Sequence, residues 1–211
     1  MDVNPTKAGF STVKLEQISR HLNERYIQPG KIAGCQVMVS RHGVPAYFQS
    51  FGDRDRERNK PVTDDTIFRI YSMTKPITSV ALMMLFEEGR FQLNDPVYRF
   101  LPGWRDQQVW VQGEGDTLET RPPASPMTMR HILSHTAGLT YGALLAADPH
   151  PVNAVYQRLG VQRGDGETIA SFADKLAQVP LRYDPGTRWL YSLATDVCGC
   201  LVETISGQKF E

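Results

Sequence analysis

What this sequence lacks narrows it first. Cysteine is scarce: Cys35, Cys198 and Cys200 are an odd number and form no Cys-x-x-Cys pair, which argues for free, buried or semi-buried thiols in a reducing compartment. Charge of either sign is not in excess, with 23 Lys plus Arg against 23 Asp plus Glu. A neutral chain offers no electrostatic reason to bind nucleic acid or an anionic membrane. Long apolar runs are missing too. The longest, Val80 to Phe86, is about a third of a membrane span. The amino terminus has no basic region followed by an apolar core, so it does not read as a signal peptide. The expected address is therefore cytoplasmic and the expected partner a small molecule, with no nucleic acid and no membrane. A Gly-x-Ser-x-Gly elbow is absent, which disfavours the alpha/beta-hydrolase route to ester cleavage.

What is present reads as globular: 41% apolar and 22% charged residues over 211 positions. Val13, Leu15, Ile18, Leu22, Tyr26 and Ile27 fall largely on one helical stripe over residues 12–27, ended by Pro29-Gly30. Residues 32–40 and 44–51 suit two antiparallel strands joined at Arg41-His42-Gly43, and 53–60 reads as a solvated loop. A helix is expected from Ser72, with Ile77, Val80, Ala81, Met84 and Leu85 inward and Gly89 as its cap. Residues 105–126 read as a long loop, and a short helix opens at Thr128. Residues 138–151 form a second loop, 168–178 a further helix, and another helix follows Ser192. Two strands do not make a stable sheet alone.

Within this frame Ser72-Met-Thr-Lys75 carries chemistry. Serine is a poor nucleophile at neutral pH and needs a base within hydrogen-bond reach. A lysine three residues on, one helical turn away, shares its face. Burial there lowers an ammonium pKa, so Lys75 is expected to take the Ser72 proton, and the Ser72 N–H at the helix start is placed to stabilise an oxyanion. Ser-x-x-Lys alone is weak, because a capping serine and an exposed lysine share the spacing.

The surrounding residues make it specific. Phe68-Arg-Ile-Tyr-Ser-Met-Thr-Lys and Glu88-Gly-Arg-Phe-Gln-Leu-Asn-Asp-Pro-Val are followed by Met129-Arg-His-Ile-Leu-Ser-His-Thr-Ala-Gly-Leu and Pro185-Gly-Thr-Arg-Trp-Leu-Tyr-Ser. These four ordered blocks resemble the beta-lactamase-related serine hydrolases, in particular the family VIII carboxylesterases. The resemblance implies an α+β fold: an antiparallel sheet flanked by helices, with a helical subdomain. It divides the chain at about 1–89 (the α/β part), 90–190 (the helical subdomain) and 191–211 (the start of the return). It also implies Tyr191 as the tyrosine of the family's Tyr-x-Asn motif, assisting proton transfer. Leu193 stands where that motif has asparagine, which favours esters over amides. The family's third motif, Lys-Thr-Gly or a variant on a late strand, has no counterpart here. The chain is accordingly expected to correspond to the amino-terminal half of a longer protein.

The expected activity is cleavage of carboxylic esters through an acyl-enzyme on Ser72, with Lys75 and Tyr191 as partners and no cofactor or metal. A beta-lactamase or D-amino-acid peptidase is the rival within the family, and an incomplete, purely binding module the rival outside it. His131 and His135 have the four-residue spacing of a metal pair, but His-Ile-Leu-Ser-His lacks the zinc-protease glutamate and a third ligand.

Overall fold

The computed structural model describes residues 2–142, 149–161, 164 and 166–210. The fold is α+β, and the chain divides into two compact units, Met1–Arg69 and Ile70–Glu211.

The first unit is a three-stranded antiparallel sheet in the order β1 (Gly34–Arg41), β2 (Val44–Asp55), β3 (Lys60–Pro61). His42 and Gly43 supply the positive φ angles, 52° and 74°, that a two-residue hairpin turn needs. Helix α1 (Thr12–Leu22) continues into a π turn over Asn23–Ile27, completing the helix expected across 12–27. It buries Leu15 with Ala8, Ala46 and Tyr47, and the Ser19 and Tyr47 hydroxyls pair at 2.7 Å. The stretch 53–60 is not merely a loop. Strand β2 runs to Asp55, and Asp53 and Asp55 pair with Pro61 and Lys60 of β3. Gly52 allows this at φ 66°, since a Cβ there would lie 2.3 Å from the Ala33 carbonyl oxygen.

The second unit packs helices around one apolar core. Its elements are α2 (Thr74–Glu87), β4 (Val109–Gln112), β5 (Glu119–Arg121), α3 (Met129–Leu133), α4 (Pro151–Arg158), α5 (Ile169–Ala177) and α6 (Ala194–Ser206). Leu82 of α2, Phe172 of α5 and Leu201 of α6 are among the fully buried side chains, each worth about 1.5–3 kcal/mol of transfer free energy. Thr168 caps α5 by accepting the Ser171 N–H at 3.1 Å. Gly89, at φ 74°, closes α2 as expected.

The second unit departs from expectation in two places. Residues 105–126 hold the β4–β5 hairpin rather than a bare loop. Leu181 fixes it from outside, its carbonyl accepting the Trp110 N–H at 2.8 Å and its N–H donating to the Gln108 carbonyl at 2.7 Å. Helix α4 begins at the edge of the stretch expected to be a loop over 138–151, of which 143–148 lie outside the described residues. The inward face of α2 is also rotated. Thr78, Leu82 and Leu85 are buried, whereas Ile77, Val80 and Met84 are 62%, 60% and 58% exposed. This helix is apolar on nearly every side, so periodicity has no contrast from which to choose a face.

Candidate active site

All three residues singled out for chemistry lie in the second unit, and the fold brings them together. Ser72 sits in a 3-10 turn, Tyr71–Met73, just ahead of α2, with Lys75 in the first turn of that helix. The preceding Tyr71 has φ 47°, an unusual conformation for an aromatic residue that costs on the order of 1–3 kcal/mol. Ser72 itself is exposed. Tyr191 arrives from 119 positions away, and its hydroxyl donates to Ser72 Oγ at 2.8 Å.

Tyr191 is held by a second strip of chain. Residues 135–140 run alongside 182–193. The N–H groups of Arg182, Gly186 and Leu190 donate to the carbonyls of Gly138, Thr136 and His135 at 2.8, 2.7 and 2.8 Å, and the Leu193 N–H donates to the Thr140 carbonyl at 3.2 Å. Gly138 is required there: at φ 83°, a Cβ would stand 2.3 Å from the Tyr183 carbonyl oxygen. The strip is anchored to α4 through buried polar groups. The Tyr156 hydroxyl accepts the Thr140 N–H at 2.9 Å, Thr140 Oγ1 donates to Asn153 Oδ1 at 2.9 Å, and the Gly142 N–H donates to Thr140 Oγ1 at 2.8 Å. On the other side, Arg121 of β5 grips the Asp184 carboxylate through both terminal nitrogens, and Asp184 also accepts the Ala124 N–H at 2.8 Å. The turn leading into Tyr191 is thus pinned at both edges.

Tyr141 is the residue that sequence reasoning missed. Lys75 Nζ donates to its hydroxyl at 2.7 Å, and its ring stacks on that of Tyr191, with centroids 5.2 Å apart and planes 21° off parallel. The ammonium lies 5.4 Å from the Tyr141 ring centre and 5.1 Å from that of Tyr191. The available signal was slight: a tyrosine two residues beyond the His135-to-Leu139 block.

The electrostatics differ from expectation in one respect. Burial does push the Lys75 ammonium down, but hydrogen bonds to Tyr141 and Tyr191 outweigh it, and the net shift is upward. The shift favours the ammonium form of Lys75 at neutral pH, where a partly neutral base was expected. Its influence falls on Tyr191, whose pKa is held below the ordinary phenol value by the hydrogen bond with Ser72 and by Lys75. Tyr141 is shifted the opposite way, burial raising it more than Lys75 lowers it.

His131 and His135 are otherwise engaged. His131 Nδ1 accepts the Thr128 N–H at 3.2 Å, and its ring packs where a Cβ on Gly186 would approach Nε2 to 2.9 Å. His135 Nδ1 lies 3.3 Å from Ser192 Oγ, and its ring sits 5.0 Å from that of Tyr191. Burial and the nearby Lys75 cation lower the His135 pKa, so the ring is neutral at pH 7. Among the described residues no group of three or more His, Cys, Asp or Glu converges as a metal site. A cavity of about 180 Å³ adjoins Lys75, walled by Thr74 and Thr78 of α2 and Thr195 and Asp196 of α6.

This constellation has counterparts in known proteins. The Beta-lactamase family model matches residues 19–211. Esterase EstB of Burkholderia gladioli is 34% identical over 211 residues, covering 98% of this chain and 49% of that protein. Monacolin J acid methylbutanoyltransferase of Aspergillus terreus is 32% identical over 194 residues, covering 88% and 45%. Among solved structures, EstCE1, described as a hydrolase with promiscuous acyltransferase activity, superposes with a TM-score of 0.78 at 32% identity, covering 94% of this chain and 49% of that one. The chain belongs to the Beta-lactamase family, and its fold is of the beta-lactamase/transpeptidase type. It spans about half the length of the curated relatives it matches. No described helix is long and apolar enough to cross a membrane.

Proposed function

We propose that this protein acts on carboxylic esters of small molecules by acyl transfer through Ser72, with Tyr191 moving the proton and Lys75 as the charge that tunes it. The observation that carries this reading is the 2.8 Å contact between the Tyr191 hydroxyl and Ser72 Oγ, beside the raised, cationic Lys75. In the neutral site Tyr191 donates to Ser72. Once Tyr191 ionises, the bond reverses and Ser72 becomes the donor, ready to lose its proton.

The chemistry then balances. Ser72 Oγ bonds to the ester carbonyl carbon as its proton passes to the Tyr191 oxygen. The tetrahedral intermediate collapses, breaking the bond to the alkoxy group, which leaves with the proton from Tyr191. Water repeats the sequence against the acyl-enzyme: it gives a proton to Tyr191, bonds to the acyl carbon and releases the acid, while Ser72 recovers its proton. In this reading the Ser72 N–H, in the turn just ahead of α2, supports the oxyanion. No cofactor enters these steps.

Leu193 supports esters over beta-lactams or peptides. It is 6% exposed in the core of the second unit and has no polar group with which to hold a substrate amide. Acyl transfer to an alcohol, instead of hydrolysis, is a second reading, favoured by the acyltransferase relatives named above; the alcohol would simply replace water in the second half. Three free thiols, Cys35, Cys198 and Cys200, favour a reducing compartment, and we place the protein in the cytoplasm.

The deciding measurement is intact mass after treatment with a fluorophosphonate probe, together with turnover of p-nitrophenyl butyrate and of a chromogenic cephalosporin. A single adduct abolished by Ser72→Ala, with the ester cleaved much faster than the cephalosporin, is expected. An adduct that persists in Ser72→Ala would overturn the assignment of the nucleophile. Faster cephalosporin cleavage would overturn the ester preference.

A further inference from the structure

We propose that Tyr141 is a positioning residue of this site: its hydroxyl holds the Lys75 ammonium as a fixed charge beside Tyr191, so that Tyr191 rather than Lys75 takes the Ser72 proton. This deepens the function proposed above and rests on it.

The geometry separates the two tyrosines by role. Tyr191 contacts the Ser72 hydroxyl at 2.8 Å, whereas Tyr141 contacts the Lys75 amine at 2.7 Å. Their rings stack at 5.2 Å, so the two hydroxyls sit on neighbouring plates, one turned to the nucleophile and one to the cation. A lysine side chain has four rotatable carbon–carbon torsions and a strongly hydrated head, and without an anchor its charge would be spread over many positions. Tyr141 supplies that anchor, and it stays neutral as an anchor must: burial raises its pKa while the Ser72 contact and the Lys75 charge lower that of Tyr191. Among the described residues other ionisable groups adjoin Lys75, and Tyr71 lines the cavity beside it. His135 is neutral at pH 7, its pKa lowered by burial and by Lys75 itself. Asp196 of α6 lines the cavity that Lys75 also lines.

Tyr141→Phe keeps the stacked ring and removes only the oxygen. Tyrosine labelled with carbon-13 at Cζ allows each phenol to be titrated by NMR, with Tyr191→Phe identifying the Tyr191 signal and no turnover required. In Tyr141→Phe the Tyr191 midpoint is expected to rise by roughly half a pH unit or more, because the ammonium is freed and the direct Tyr141 hydrogen bond to Tyr191 is lost; a concurrent fall at Lys75 marks the ammonium's share. The Lys75 midpoint, read from carbon-13 at Cε, is expected to fall. With turnover, the acid limb of kcat/KM moves up in pH by the same amount, a change that loss of packing alone would not produce. A Tyr191 midpoint that stays put or falls would overturn the proposal, the latter showing that Tyr141 competes for Lys75 instead of fixing it. If Tyr191 already titrates as an ordinary phenol in the wild-type protein, the tuning reading under "Proposed function" fails instead.

Discussion

The Tyr156 hydroxyl ties the strip carrying Tyr141 to helix α4, and its removal has two separable consequences. It accepts the Thr140 N–H at 2.9 Å in a buried setting. In Tyr156→Phe that N–H is left without its acceptor, which costs about 1–3 kcal/mol at neutral pH. The second consequence is in the pH dependence. Burial pushes the Tyr156 phenol up to about 12 from a reference of 10, against the lowering effect of the Thr140 hydrogen bonds. An acid whose folded pKa is raised contributes nothing to the pH dependence below its unfolded pKa. As pH climbs from 10 toward 12 the unfolded chain loses its proton first, and folding stability falls. A shift of this size corresponds to a loss of roughly 1 kcal/mol by pH 11, about half of the full effect. Phenylalanine has no such proton, so the variant escapes this fall. Urea denaturation of both proteins at pH 8 and pH 11 tests the argument. The wild-type advantage should be about 1–3 kcal/mol at pH 8 and smaller by roughly 1 kcal/mol at pH 11. Taking the difference between the proteins cancels the other tyrosines. Parallel stability curves would refute the burial of this hydroxyl, and a negligible gap at pH 8 would refute the claim that Thr140 depends on it.

Other perturbations probe the remaining links. Tyr191→Phe removes the hydroxyl bonded to Ser72 Oγ and should lower kcat/KM for p-nitrophenyl butyrate by about 10²–10⁴-fold with the fold intact by circular dichroism; activity within threefold of wild type would exclude Tyr191 as the proton carrier. Gly138→Ala forces a Cβ to within 2.3 Å of the Tyr183 carbonyl oxygen at φ 83°, so it should cost more than about 1 kcal/mol and loosen the Tyr191 strip, seen as weaker probe labelling of Ser72. Thr168→Ala deletes the cap on the Ser171 N–H and should cost about 0.5–2 kcal/mol in urea denaturation while leaving Ser72 labelling unchanged, since the hydrogen bonds described for Ser72, Lys75 and Tyr191 go to one another and to Tyr141, not to α5.

The sequence by itself determined the local pieces. His42-Gly43 closes a hairpin because its backbone requires positive φ. Thr168 and Gly89 bound their helices through hydrogen-bonding and conformational preferences that act within a few residues. Ser72 and Lys75 were legible because one helical turn joins them, and Tyr191 because it ends a recognisable block. Only the tertiary structure decided matters that depend on distant groups. The β4–β5 hairpin forms in a polar, aperiodic stretch because Leu181 supplies hydrogen bonds from far along the chain. Helix α2 is apolar nearly all round, so which side is buried depends on what packs against it. The charge on Lys75 followed the same rule. Burial alone predicts a lowered pKa, but two phenol oxygens, 66 and 116 positions away in sequence, reverse the sign. Spacing shows which groups share a turn of helix. It carries no information about a hydroxyl that reaches them from another part of the chain, as those of Tyr141 and Tyr191 do here.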